Sequence, residues 1–101
     1  MQLQLESGRC VSDATEQDIL SLIDGEDFAI LSVDDITYIQ CAELREPPYG
    51  YVLEYQDGSL LAHFQALDRP LTLEHICSAL LKYLRGDPSW RSDFRWEKMR
   101  L

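Results

Sequence analysis

The chain has 101 residues and a net charge of −9, and none of its apolar runs approaches the roughly 20 residues of a membrane-spanning helix. Hydrophobic residues make up 46% of the chain and include two tryptophans, a composition that excludes a disordered protein. The acidic balance excludes a nucleic-acid-binding protein, which needs a basic surface.

A chain of this length supports one hydrophobic core, so we expect a single domain over residues 1–101. The opening MQLQLESGRC has neither the basic segment nor the apolar segment of a secretory leader. We therefore expect a cytoplasmic protein that makes no contact with a membrane.

The first two predicted elements are a short strand and a helix. The alternating stretch QLQL at residues 2–5 is typical of a strand. In SDATEQDILSLIDG, Asp13 is the predicted N-cap, Glu16 completes a capping box, and Gly25 follows the end of the helix.

The stretch DFAILSVDDITYIQCAEL predicts a strand pair around a two-residue turn at 34–35. This turn pairs Ile30 with Ile39 on one face of the sheet. It places Leu31 opposite Tyr38 on the other face.

A second strand pair is predicted in YGYVLEYQDGSLLAHFQAL, where Asp57-Gly58 suits a tight type I′ turn. The predicted cross-strand pairs form one buried face and are Tyr55 with Leu60, Leu53 with Ala62, and Tyr51 with Phe64. Glu54 and His63 then lie on the outer face as diagonal neighbours.

The segment RPLTLEHICSALLKYLRGDP predicts a second helix, which Thr72 caps and Gly86 ends. Its apolar stripe is formed by Leu73, Ile76, Cys77, Leu80, Leu81 and Leu84. The tail WRSDFRWEKMRL predicts a short closing strand. The expected fold is α+β, an antiparallel meander of four to six strands with two helices, the second packed across one sheet face.

Glu54 and His63 are the best candidates for acid–base catalysis. An open sheet face excludes water poorly, however, and no Ser or Cys nucleophile is expected beside the pair. We therefore predict that the protein is not an enzyme. A small hydrolase that uses this pair is a third interpretation, and it requires a deep pocket around the two side chains.

No cofactor or metal site is predicted. The acidic stretch DGED lacks the spacing of a calcium loop, and no glycine-rich phosphate loop is present. The three cysteines, Cys10, Cys41 and Cys77, form no CxxC motif and lie in apolar contexts, so we expect reduced structural thiols.

The charge is uneven, with fifteen acids and three bases before residue 82, and three acids and six bases from there on. In the predicted meander, acidic residues gather at one end around the stiff connection AELREPPYGY. This end suits a basic protein partner, although acidity that serves solubility alone is the alternative. The predicted partner-binding residues are Glu26, Asp27, Glu43, Glu46 and Tyr49.

The main rival is a homodimeric scaffold or a substrate-binding module. In the predicted registers, apolar side chains on the outer sheet face form a patch that must be covered or serve as an interface. These side chains are Leu31, Val33, Ile36, Tyr38, Val52 and Leu61.

The run FAILSVDDITYIQCAEL…YGYVLEYQDGSLLAHFQAL…LTLEHICSALLKYLRGDPSWRSDFRWEKM resembles small bacterial immunity proteins of toxin–immunity systems. The resemblance covers residues 28–99 and consists of the strand meander, the helix at LTLEHI and the terminal GDPSW…FRWE. It implies a cytoplasmic inhibitor that binds and blocks a cognate toxin. The shared pattern is structural, so no binding residue is transferred by it.

Overall fold

The computed structural model describes residues 1–99, within which the chain forms seven strands and three helices. The strands are β1 (Gln2–Leu5), β2 (Cys10–Val11), β3 (Phe28–Asp34), β4 (Thr37–Leu44), β5 (Gly50–Asp57), β6 (His63–Ala66) and β7 (Trp96–Lys98). The helices are α1 (Glu16–Leu22), α2 (Leu73–Arg85) and α3 (Ser89–Ser92). The predicted α+β class and antiparallel sheet are confirmed.

The strands form one antiparallel sheet in the order β2-β1-β3-β4-β5-β6-β7. Four to six strands and two helices were too few for residues 1–99. Strand β2 at one edge and helix α3 were not predicted. They have only two and four residues, which is too short to show a periodic pattern.

Helix α2 follows the prediction. Thr72 caps its N-terminus and Gly86 ends it with a φ of 74°. Ile76 and Leu80 are fully buried, and α2 packs against β4 and β5 and beside α1. This face of the sheet, called the inner face below, therefore carries the core.

Helix α1 is where it was predicted, but its cap is not. Thr15, rather than Asp13, is the N-cap, and Asp18 rather than Glu16 completes the capping box. The Asp18 carboxylate accepts from the Thr15 backbone N–H at 2.8 Å. Both residue spacings satisfy the capping-box pattern, so the sequence alone does not separate them.

The predicted register of β3 and β4 is wrong by one residue. Leu31 pairs with Ile39 and Ile30 with Gln40, because the register shifts between Ser32 and Asp34. This irregularity adds a residue to β3, and a one-residue change moves each side chain to the opposite face. Leu31 therefore lies in the core, fully buried, and not on the outer face.

The predicted register of β5 and β6 is wrong by four residues. Tyr55 pairs with Phe64, since residues 58–62 form a wide loop that contains the 3₁₀ helix Leu60–Ala62. Ser59 stabilises this loop by accepting from the Leu61 backbone N–H at 3.1 Å. A shift of four preserves which face each side chain occupies, so Glu54 and His63 do lie on the outer face.

The aromatic residues of the tail close the core at the β6–β7 edge. The Tyr55 ring stacks on Phe64 at 5.0 Å and meets Trp90 and Trp96 edge to face at 4.9 and 4.7 Å. Such ring pairs stabilise a core beyond the area that they bury. The predicted closing strand is confirmed as β7.

The three cysteines have free thiols, but only two fit the predicted apolar context. Cys41 is buried, and burial raises the pKa of its thiol to about 12, so it stays protonated at neutral pH. Cys77 is half-buried. Cys10 is exposed on the edge strand β2, where no second layer covers it.

Candidate functional site

Three connections meet at one end of the sheet: the β1–β2 turn, the α1–β3 loop and the β4–β5 connection. Leu5 pairs with Ala29, and the Glu43 backbone N–H donates to the Asp27 carbonyl at 2.8 Å. The meander therefore brings acidic residues from separate parts of the chain to one place. We call these acidic residues, together with the tyrosine of the β4–β5 connection, the acidic end. Its members are Glu6, Glu26, Asp27, Glu43, Glu46 and Tyr49.

Two residues, Arg45 and Ser7, organise the acidic end through polar contacts. The Arg45 guanidinium binds the Asp27 carboxylate and lies 4.0 Å from the Glu6 carboxylate. Glu26 accepts from the Ser7 hydroxyl at 3.1 Å and from the Ser7 backbone N–H at 3.3 Å. Glu26 and Asp27 are therefore held in place by the protein itself.

The negative charges of the acidic end act on one another and on Tyr51. The charge of Asp27 raises the pKa of Glu6 above its ordinary value, and Arg45 offsets only part of this effect. Burial raises the pKa of Tyr51, and the charge of Glu43 raises it further. A like charge has this effect only at short range, so the end holds concentrated negative charge.

The β4–β5 connection presents the most accessible groups of the acidic end. Glu43 and Glu46 are exposed, and the Tyr49 side chain is 69% exposed. Of the five predicted partner-binding residues, these three point to solvent, while Glu26 and Asp27 are half-buried. The connection therefore offers exposed carboxylates and an exposed aromatic ring to a partner.

The sequence-based prediction missed Glu6, Ser7 and Arg45. Glu6 and Ser7 reach the acidic end because β1 pairs with β3, a long-range contact for which the chain has no local pattern. Arg45 is one of only three bases before residue 82, and its position between Glu43 and Glu46 in the stretch ELREPP was the available clue.

The outer face holds the second candidate site. Nε2 of His63 lies 2.8 Å from Oε1 of Glu54, so the predicted proximity of these two side chains is confirmed. His63 is only 4% exposed, which the prediction of an open face did not anticipate. Glu54, but not His63, lines a pocket on this face together with Phe28 and Ile30.

The predicted apolar patch is not one continuous surface. Leu31 lies in the core, whereas Val33 is exposed in β3, and Ile36 and Leu61 are exposed in the β3–β4 turn and the β5–β6 loop. Tyr38 is on the outer face and half-buried, as is Val52. The outer face is therefore less apolar than expected, and self-association through it stays a prediction.

Comparison of the chain with protein-family models, curated proteins and solved structures finds no match. Of the helices within residues 1–99, none has the length and apolarity that a bilayer crossing needs. In the same residues, no three His, Cys, Asp or Glu side chains are grouped as a metal site requires.

Proposed function

We propose that this protein is a non-catalytic binding module of the immunity type, which binds a basic toxin through its acidic end and blocks it in the cytoplasm. The observation that supports this function is the gathering of carboxylates at the acidic end, where those of Asp27 and Glu6 share the guanidinium of Arg45. Tyr49 is exposed in the same β4–β5 connection as Glu46, and it supplies an anchor of the kind that carries binding energy in protein interfaces.

The two parts of the surface have different roles in this proposal. The carboxylates attract a basic protein over a distance of about 10 Å at moderate salt and speed its association. Tyr49 is buried on contact, so it slows dissociation. Because Ser7 and Arg45 already hold Glu26 and Asp27, these two side chains lose little conformational freedom when the partner binds.

The first prediction concerns protection of a host cell. The product of the gene adjacent to this one is expressed alone and together with this protein, and growth is measured. We expect the neighbour to arrest growth alone and this protein to restore it. The double variant Glu43→Lys/Glu46→Lys should protect poorly, because it reverses two exposed charges of the acidic end.

The matched control is Asp13→Lys/Glu97→Lys, which reverses two exposed carboxylates outside the acidic end. This control should protect as well as the natural sequence does. Equal protection by both double variants, with equal protein levels, would show that the acidic end does not bind the toxin.

A further inference from the structure

Four polar side chains on the outer face form a chain of hydrogen bonds outside the acidic end. In order along this chain they are Tyr38, Gln56, His63 and Glu54. Gln56 Nε2 donates to the Ile36 carbonyl at 3.2 Å, which turns Gln56 Oε1 toward the other members. Oε1 accepts from the Tyr38 hydroxyl at 3.3 Å and lies 3.1 Å from Nδ1 of His63. Since an amide oxygen only accepts, Nδ1 of His63 carries a hydrogen.

The other ring nitrogen of His63 contacts Glu54. Nε2 of His63 lies 2.8 Å from Oε1 of Glu54, which is a hydrogen-bonding distance. The side chain of His63 is 5% exposed and that of Glu54 is 21% exposed. The buried imidazole thus fixes one carboxylate oxygen, while Oε2 of Glu54 accepts no hydrogen bond within residues 1–99.

Glu54 also forms one wall of a shallow pocket of about 340 Å³, which Phe28, Ile30 and Ala42 line with apolar groups. Ile30, Gln40 and Glu54 lie directly opposite one another on three adjacent strands, with Phe28 and Ala42 paired beside them. Among the described residues that line this pocket, none is a Lys or Arg. A volume of this order is within the range of small-molecule sites.

We propose that this pocket binds a small primary amine, whose ammonium group contacts Oε2 of Glu54 and whose apolar stem lies against Phe28 and Ile30. The carboxylate is already oriented by His63, so an ammonium donor gains a charge-assisted hydrogen bond without ordering the acceptor. Attraction at contact comes from the free lone pairs of Oε2 and from the apolar walls, and the acidic body of the chain concentrates cations around them.

The test is a titration of the natural protein with n-hexylamine at neutral pH, followed by NMR of the backbone amides and of the histidine rings. We expect saturable shifts of the His63 ring and of the amides of Ile30 and Ala42. His75, the other histidine of the chain, lies in a separate pocket with Asp68 and should not shift. n-Hexanol has the same stem without the charge and should bind about tenfold more weakly.

Two variants locate the contact. Glu54→Gln should weaken n-hexylamine binding about tenfold, whereas Glu97→Gln should change it less than about twofold. Glu97 is the matched control because it lies in the same cross-strand row as Glu54, two strands away and beyond Gln65. If Glu54→Gln fails to fold, the comparison of n-hexylamine with n-hexanol in the natural protein still decides.

Three results would overturn the amine site. They are equal affinities for n-hexylamine and n-hexanol, equal losses in the two variants, and shifts at His75 in place of His63. The absence of any saturable shift with n-hexylamine would overturn it as well. That holds even if a peptide that contains lysine does bind at this face, because the proposed ligand is a small amine.

Discussion

Gly50 is the first residue of β5, and it lies against the segment that precedes α2. Its φ is +140°, and a Cβ at this position would lie 2.6 Å from Cβ of Pro70 and 2.8 Å from the Leu71 carbonyl oxygen. The absence of a side chain lets Tyr51 and Leu71 exchange two backbone hydrogen bonds of 2.8 and 2.9 Å. The stretch PPYGY shows that residue 50 is a glycine, but the close approach that requires it is long-range and was not predictable.

At the residue scale we predict that Gly50→Ala destabilises the protein strongly. The new Cβ strains the backbone and overlaps Pro70 and Leu71, which together cost about 2 to 5 kcal/mol of unfolding free energy. Gly58→Ala is the matched control. Gly58 has a φ of +77° but open space around it, so only the backbone strain of about 1 to 2 kcal/mol applies. Urea unfolding measures both values, and equal losses would contradict the close approach at Gly50.

At the scale of elements, helix α2 and the strand pairs differ in how well the sequence determines them. The cap at Thr72 and the stop at Gly86 are local signals, so the bounds of α2 were predicted correctly, although the buried face also includes Ala79 and Tyr83. The register of β3 and β4 depends on one extra residue at Val33, which no alternation of side chains revealed.

The loop between β5 and β6 shows a second way in which local patterns fail. Asp57-Gly58 suits a tight turn, and Leu60 and Leu61 suit a strand, but both leucines are exposed in the 3₁₀ helix, at 65% and 77%. The proximity of Glu54 and His63 was still predicted correctly, because an error of four residues leaves the two side chains on the same face.

The edge strand β7 is held to the end of β6 by Asp68 and Arg95. The Asp68 carboxylate accepts from the Arg95 backbone N–H at 3.0 Å and from its guanidinium at 2.8 Å. These hydrogen bonds favour the ionised form and lower the pKa of Asp68 below its model-compound value of 3.8. The stabilisation is therefore present at neutral pH and is lost as the pH falls below about 4.

We predict that Asp68→Asn loosens β7 at neutral pH in the way that acidification loosens it in the natural protein. Hydrogen exchange of the Met99 amide, which donates to the His63 carbonyl at 2.8 Å, reports on this edge. Exchange should accelerate in Asp68→Asn and remain unchanged in Asp13→Asn, which alters an exposed carboxylate away from β7. Unchanged exchange in Asp68→Asn would show that the β6–β7 ladder needs no support from this side chain.

At the scale of the whole molecule, the acidic residues are spread along the sequence, and the fold brings part of them together at the acidic end. Before residue 82 the chain holds fifteen acids and three bases, and the meander gathers part of this excess at the acidic end. The prediction found the gathering because the strand order follows the chain order from β3 to β6. It could not supply Glu6, because β1 pairs with β3 across the α1 segment.

The central claim is that the acidic end directs a basic partner to this protein. Its most direct test is the stopped-flow association rate with the product of the adjacent gene, measured over a range of salt concentrations. The rate should fall as salt rises, and Glu43→Lys/Glu46→Lys should lower it about tenfold at low salt and flatten the salt dependence. The control Asp13→Lys/Glu97→Lys should reduce the rate less. A rate that neither salt nor charge reversal at Glu43 and Glu46 changes would contradict the claim.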